Sequence, residues 1–286
     1  MKGCYCILAA VTAVALRGQV PLEVAYAGSM TSVMEGPIKR AAAAELGFDL
    51  QGRAQGASGL AQLIAGGSIR PDVFISITAS PIDTVLKAGK IREAVPIART
   101  EMVIAYSPKS RFAVQFASKP WWRVLQEPGV RFGRTDPVTD PQGRNIIFVV
   151  QLAAAYCHQP DLARRIVGPD VNPQQIFTEP SIQARLQSGE LDAASAYKVQ
   201  PVAFGLPYIS LPDELNLGDR ARAAEYARAS LTLNGRTYHP EPLVYYAAVL
   251  NGAAHHPEAV RFVEWLEGRS ARDIFRRAGY DPAGKL

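Results

Sequence analysis

The chain has 286 residues, 48% hydrophobic and 20% charged, enough for one large or two medium domains with buried cores. Its formal net charge is +5, with acids and bases interspersed and no basic block of five or more. That balance argues against a nucleic-acid footprint and leaves a surface that mildly favours anions.

At the N-terminus, Lys2 precedes an apolar run from Cys4 to Leu16, and polar Arg17-Gly18-Gln19 follows. The run is too short to span a bilayer and fits a secretory signal, with Ala13-Val14-Ala15 as a small-x-small cleavage site. A buried first strand or helix is the alternative. Removal of residues 1–15 takes Cys4 and Cys6 with it and leaves Cys157 alone, so the mature chain has no intrachain disulfide. Neither early cysteine has the apolar-small-small context of a lipidated residue.

Leu22 to Ala27 predicts a strand that stops at Gly28; a helix begins near Thr31, and Ser29 sits at the junction. Asp49 to Ala54, the small-residue turn Gln55–Gly59 and a helix from Leu60 repeat the unit, with Ser58 in the place of Ser29. Asp72 to Ile77 predicts a strand buried on both faces. Ser80 then caps a helix over 81–88 with Pro81 at its first position. Glu101 to Tyr106 predicts another strand. Strands alternating with helices imply an α/β fold, a parallel sheet and ligand sites beyond the strand C-termini.

Trp121-Trp122 reads as a packing anchor. Val130 to Arg134 predicts a strand that ends in the turn 135–143, TDPVTDPQG, before an apolar helix from Asn145 to Tyr156. Asp140 either caps that helix, with Pro141 at the first position, or faces a ligand. Gln175 to Thr178 predicts a short strand leading to Glu179-Pro180-Ser181 and a helix through Gln187. Asp192 to Tyr197 predicts a buried strand with Tyr197 at its end. Further strands are expected over Tyr208–Leu211 and Leu243–Leu250, and two closing helices over 257–267 and 271–278.

A strand that ends in a small-residue turn and opens a helix aims backbone N–H groups, a hydroxyl and the positive helix end at one point. That suits an oxyanion. Ser29 and Ser58 do this on successive units of one sheet edge. Enzyme signatures are absent. Leu60 stands where a nucleophile elbow around Ser58 needs glycine. His158, His239, His255 and His256 lack metal-ligand spacing, and there is no P-loop and no GxGxxG after a strand. A binding protein without a cofactor is expected rather than an enzyme.

The segments YAGSM (26–30), GASGLAQLI (56–64), PDVFIS (71–76), EMVIAYSPKS (101–110), RTDPVTDPQG (134–143) and LPYISLPDELNLGD (206–219), with Glu179 ahead of SGELD (188–192), occur in a recognisable order and spacing. The chain resembles the extracytoplasmic tungstate/molybdate-binding proteins of ABC transporters, of the WtpA/ModA type, over nearly its whole mature length. The resemblance implies a two-lobe periplasmic-binding-protein fold of type II, each lobe a mostly parallel sheet flanked by helices, with the ligand in the cleft between them. Residues 18–103 with 240–286 would form one lobe and 104–239 the other. It further implies a monomer outside the cytoplasm, periplasmic or at the cell surface, that delivers the anion to a membrane permease. Carried over by position, Ser29 and Ser58 would bind oxo groups, Asp140 and Glu179 would coordinate the tungsten or molybdenum atom, and Tyr197 would face the cleft. Two stretches depart from the family pattern: Gln142-Gly143-Arg144-Asn145 stands in place of Cys-Gly-Tyr-Arg, and Val199-Gln200-Pro201 in place of Ser-Val-Ala.

The carboxylates bear on ligand choice independently. One carboxylate about 4 Å from an anion repels it by about 4 kcal/mol at an effective dielectric near 20. Two are tolerable only where they bond to the ligand's central atom or accept its protons. Tungsten and molybdenum can expand from four ligands to six; sulfur in sulfate cannot. The open alternatives are another anion (phosphate, sulfate or a small organic acid) in the same fold, and an enzyme using Asp140 with Glu179 as an acid/base pair.

Overall fold

The computed structural model describes residues 19–283, so the expected signal segment lies outside the described residues. Strands β1 (Val20–Ala27), β2 (Phe48–Gln55), β3 (Val73–Ser76) and β4 (Val95–Arg99) open the chain. Next come β5 (Met102–Tyr106), β6 (Phe132–Gly133), β7 (Ala193–Tyr197), β8 (Tyr208–Ser210), the hairpin β9 (Leu231–Leu233) and β10 (Arg236–Tyr238), and β11 (Val244–Val249). Among the described residues they form a five-stranded sheet, β2-β1-β3-β11-β4, a four-stranded sheet, β6-β7-β5-β8, and the hairpin. The helices that matter below are α1 (Lys39–Leu46), α2 (Ala57–Ala65), α3 (Ala79–Lys87), α4 (Pro141–Tyr156), α5 (Glu179–Ser188) and α6 (Val199–Phe204).

The run from Leu22 to Ala27 reads as continuously apolar because both faces of β1 are covered. Leu22, Val24 and Tyr26 enter the main core with Met30 and Phe48, while Ala25 faces Leu60 and Ile64 of α2 and Ile82 and Val85 of α3. Each fully buried leucine or isoleucine contributes roughly 2 kcal/mol.

The sheets are mixed rather than mostly parallel. Strand β1 pairs in parallel with β2 and β3, and β6 with β7. Strand β11 runs antiparallel to β3 and β4, and β5 antiparallel to β7 and β8. The physical reason is connectivity. Strands β5 and β11 are the ones by which the chain enters each sheet after leaving the other, so they do not follow a same-sheet helical crossover. Sheet membership changes between Arg99 and Met102, so a division at 103/104 would cut through β5.

Other local differences have local causes. The helix expected from Thr31 is broken into a 3₁₀ turn, a short α turn, a π turn over Met34–Ile38 and then α1. The break falls at Gly36 (φ −102°, ψ −106°) before Pro37, which has no N–H to donate. Helix α3 starts at Ala79 after Thr78, so Ser80 is not its cap. Instead the Ser80 N–H and hydroxyl donate to the Glu241 carboxylate at 2.9 and 2.7 Å, which places a distant anion at the helix N-terminus. The strand expected over 175–178 shrinks to one bridge, Arg134 with Ile176. The buried Arg134 side chain draws that segment in, donating to Gln175 Oε1 and to the carbonyl oxygens of Pro169 and Asp170.

Candidate functional site

Strand β1 ends at Ala27 in register with Gln55 of β2, so the turns after both strands open at the same sheet edge. In the first turn, Ser29 is held at both ends. Its Oγ lies 2.8 Å from the Tyr245 hydroxyl of β11, and the Tyr280 hydroxyl donates to its carbonyl oxygen at 3.0 Å. The two tyrosine rings meet edge-on with centroids 5.3 Å apart. When Tyr245 donates, the Ser29 hydroxyl hydrogen is left for the cleft.

The second sheet brings the carboxylates. Asp140 is the N-cap of α4; its Oδ1 accepts the Gln142 N–H at 2.9 Å, and Pro141 occupies the first position, where no N–H is needed. Capping and ligand binding are therefore compatible, because the cap engages only one of the two carboxylate oxygens. Gly143 makes this turn possible. A Cβ there would lie 2.4 Å from the Thr135 carbonyl oxygen and 2.8 Å from Asp136 C. Only glycine lets the first turn of α4 press on the loop leading to Asp140. Glu179 is the first residue of α5, where the helix end favours a negative charge. Tyr197 ends β7, buried, and its hydroxyl accepts the Asn145 Nδ2–H at 3.1 Å.

Electrostatics tie these groups together. Burial pushes the Asp140 carboxyl above the ordinary aspartate value, against the pull of the Gln142 N–H. Burial raises the Glu179 carboxyl as well, and the negative charge of Asp140 adds to the rise. Burial holds the Tyr197 phenol well above its usual value, with Asp140 and Glu179 contributing. Burial also raises Tyr245, and Glu179 acts in the same direction.

Ser29 and Glu179 thus line one cleft, a cavity of about 500 Å³ bounded also by Thr31, Gln200, Phe204 and Arg277. Asp140 and Tyr197 stand beside Glu179. Ser58 is placed differently. It is exposed in the first turn of α2, at the same sheet edge but outside this lining. Tyr245 was not singled out from sequence. The signal was present: consecutive tyrosines in an apolar strand point to opposite faces, and the buried one needs a polar partner. Arg144 brings positive charge near Asp140. Its Nη1 donates to the Pro137 carbonyl oxygen at 2.9 Å, and its guanidinium stacks on Tyr238 of β10 at 4.5 Å. Chemically, the cleft offers the Ser29 hydroxyl and the Glu179 carboxylate, with the Asp140 carboxylate close enough to act on Glu179. Among the described residues no group of three or more His, Cys, Asp or Glu side chains is placed to hold a metal cation.

The profile of the bacterial extracellular solute-binding protein family matches residues 22–281. The molybdate/tungstate-binding protein WtpA of Pyrococcus abyssi is 28% identical over 91% of this chain and 84% of its own. An uncharacterized solute-binding protein of Halobacterium salinarum is 30% identical over 90% of this chain and 83% of its own. Among solved structures, the periplasmic molybdate-binding protein of Azotobacter vinelandii superposes with a TM-score of 0.59 at 19% identity, covering 91% of this chain and 98% of that one. The sulfate-binding protein SubI of Mycobacterium tuberculosis superposes with a TM-score of 0.59 at 13% identity, covering 92% and 87%. The structural likenesses speak to the two-lobe fold.

Proposed function

The chain belongs to the bacterial extracellular solute-binding proteins, and from that premise we propose that it captures tungstate or molybdate outside the cytoplasm and hands it to an ABC permease. The convergence of Asp140 and Glu179 with Ser29 and the buried tyrosines carries this reading. Ser29 and the helix end that follows hold any oxyanion, so they supply general affinity. Asp140 and Glu179 each offer one oxygen to the central atom, which raises four oxo ligands to six. Ser58 joins from the neighbouring turn as the lobes close. Tyr197 walls the cleft at the far side.

The mechanism is hinge closure without covalent chemistry, with the crossings at Thr100–Glu101 and at 239–243. Export follows from a signal at residues 1–15.

A thermal-shift panel of oxyanions tests the reading, followed by calorimetry. Tungstate and molybdate should raise the melting temperature; sulfate should not. Asp140→Ala with Glu179→Ala should abolish tight tungstate binding. A response to phosphate or sulfate that survives both substitutions would replace this reading with that of a hydrogen-bonded anion site.

A further inference from the structure

Behind the carboxylates, two glutamines form a hydrogen-bonded chain that can run in only one direction. The Tyr197 N–H at the end of β7 donates to Gln200 Oε1 at 2.7 Å, which fixes the way the Gln200 amide faces. Gln200 Nε2 donates to Gln142 Oε1 at 2.9 Å, and Gln142 Nε2 donates to the Ser195 carbonyl oxygen at 3.1 Å. Flipping either amide would set donor against donor or acceptor against acceptor. Two backbone groups of β7 therefore set the polarity of the chain, one at each end. Both side chains are buried, 3% and 7% exposed, too little for water to substitute for these partners.

Gln200 keeps one more Nε2 hydrogen. It shares with Glu179 both the cleft and the small chamber behind it. Burial pushes the Glu179 carboxyl up, and the Gln200 amide pulls it back toward the ionised form. Asp140 already has one oxygen taken, by the Gln142 N–H.

We propose that Gln200, aimed by Gln142, is a positioning residue for Glu179: its remaining amide hydrogen engages one carboxylate oxygen and leaves the other for the central atom of the oxyanion. The ligand in this statement rests on the function proposed above; the pairing of Gln200 with Glu179 rests instead on the two cavities that they share. The consequence is a count. Four oxo groups and one oxygen from each carboxylate make six ligands, whereas Glu179 binding through both oxygens would make seven. The two glutamines thus block the surplus oxygen of each carboxylate, Gln142 through its backbone N–H and Gln200 through its side chain.

The test replaces the amides with near-isosteric thioethers, Gln200→Met and Gln142→Met. In ligand-free protein, the Glu179 carboxyl is titrated by infrared spectroscopy on ¹³C-glutamate-labelled samples, its band identified by difference from Glu179→Gln. Gln200→Met should raise the Glu179 midpoint by about one pH unit, and Gln142→Met by less. Tungstate affinity in Gln200→Met should fall about tenfold near pH 6 and approach the parent value above pH 8, where both carboxylates are ionised. An unmoved midpoint in a folded Gln200→Met variant overturns the inference, as does an affinity loss that is the same at every pH. Should Gln200→Met fail to fold, Gln142→Met decides by the same readout. A parent protein that binds neither tungstate nor molybdate removes the oxyanion reading, and the ligand-free titration still decides the role of Gln200.

Discussion

Burial raises both the Asp140 and the Glu179 carboxyl, so the folded protein binds these two protons more tightly than the unfolded chain does. Stability therefore falls as pH rises from the unfolded carboxylate range through the raised values, and the ligand-free protein carries a standing cost at neutral pH. Asn remains a good N-cap, so Asp140→Asn with Glu179→Gln should stabilise the ligand-free protein at pH 7 by about 1 kcal/mol, or about 3 °C in Tm. In acid below the ordinary carboxylate range the gain should vanish, a comparison that calorimetric scans at two pH values make directly. The same linkage makes protons competitors of the ligand: tungstate affinity should weaken on acidification from a higher pH than an ordinary carboxylate would require. The places of Ser29, Asp140, Glu179 and Tyr197 at strand ends and helix starts were legible in the sequence, because local patterns encode such places. Tyr245 and Tyr280 were not, because their partners lie far along the chain; Ser29 is 216 residues from Tyr245 and 251 from Tyr280.

Among elements, the first turn of α4 has the least room to vary. Gly143→Ala would place a methyl group 2.4 Å from the Thr135 carbonyl oxygen, and backbone cannot give way as a flexible side chain can. The loop 135–137 must move, and Asp140 with it. We expect a loss of about 2 kcal/mol in stability, about 5 °C in Tm, with weaker tungstate binding in calorimetry. Unchanged values of both would show that the turn adapts. The sequence located this helix well but missed β4 and the β9–β10 hairpin. Pro96 disguised β4, since proline usually argues against a strand interior. The hairpin strands have three residues each, too few to show alternation, although Asn234-Gly235 is a recognisable turn signal with positive φ at both positions (51° and 77°). The expectation of mostly parallel sheets failed for a related reason: strand patterns carry no direction, and only the route of the chain between sheets makes β5 and β11 antiparallel.

Across the whole molecule, the two sheets meet at a small ionic cluster. Lys198, directly after β7, donates to the Asp281 carboxylate at 2.8 and 2.9 Å and lies 3.7 Å from Glu101. Asp281 in turn pairs through its backbone with Arg99, the last residue of β4. The cluster ties the end of the first sheet to the second at the crossing itself. All three side chains are partly buried, so Lys198→Met leaves two acids facing each other with little water; roughly 2 kcal/mol should be lost, less than for a fully buried pair. Denaturant unfolding would measure that loss, and a value near zero would mean that Lys198 is solvated in practice. The two-lobe plan was legible because the family pattern spans the chain, but the position of the crossing was not, since Thr100–Glu101 joins two apolar strands without a break in composition.

Lys198 follows Tyr197 with no residue between, so the fulcrum of the closure proposed here stands beside the load. A lever worked that close to its pivot has high gearing: a small displacement at the anion becomes a large sweep at the outer rims of the lobes. An ion of a few atoms can thereby present a docking partner with a visibly different outline. The arrangement also has an evolutionary cost, because any change at Tyr197 falls next to the pivot at Lys198. A lineage acquiring a new anion would find more freedom in Gln142, which lies on α4 and away from that pivot.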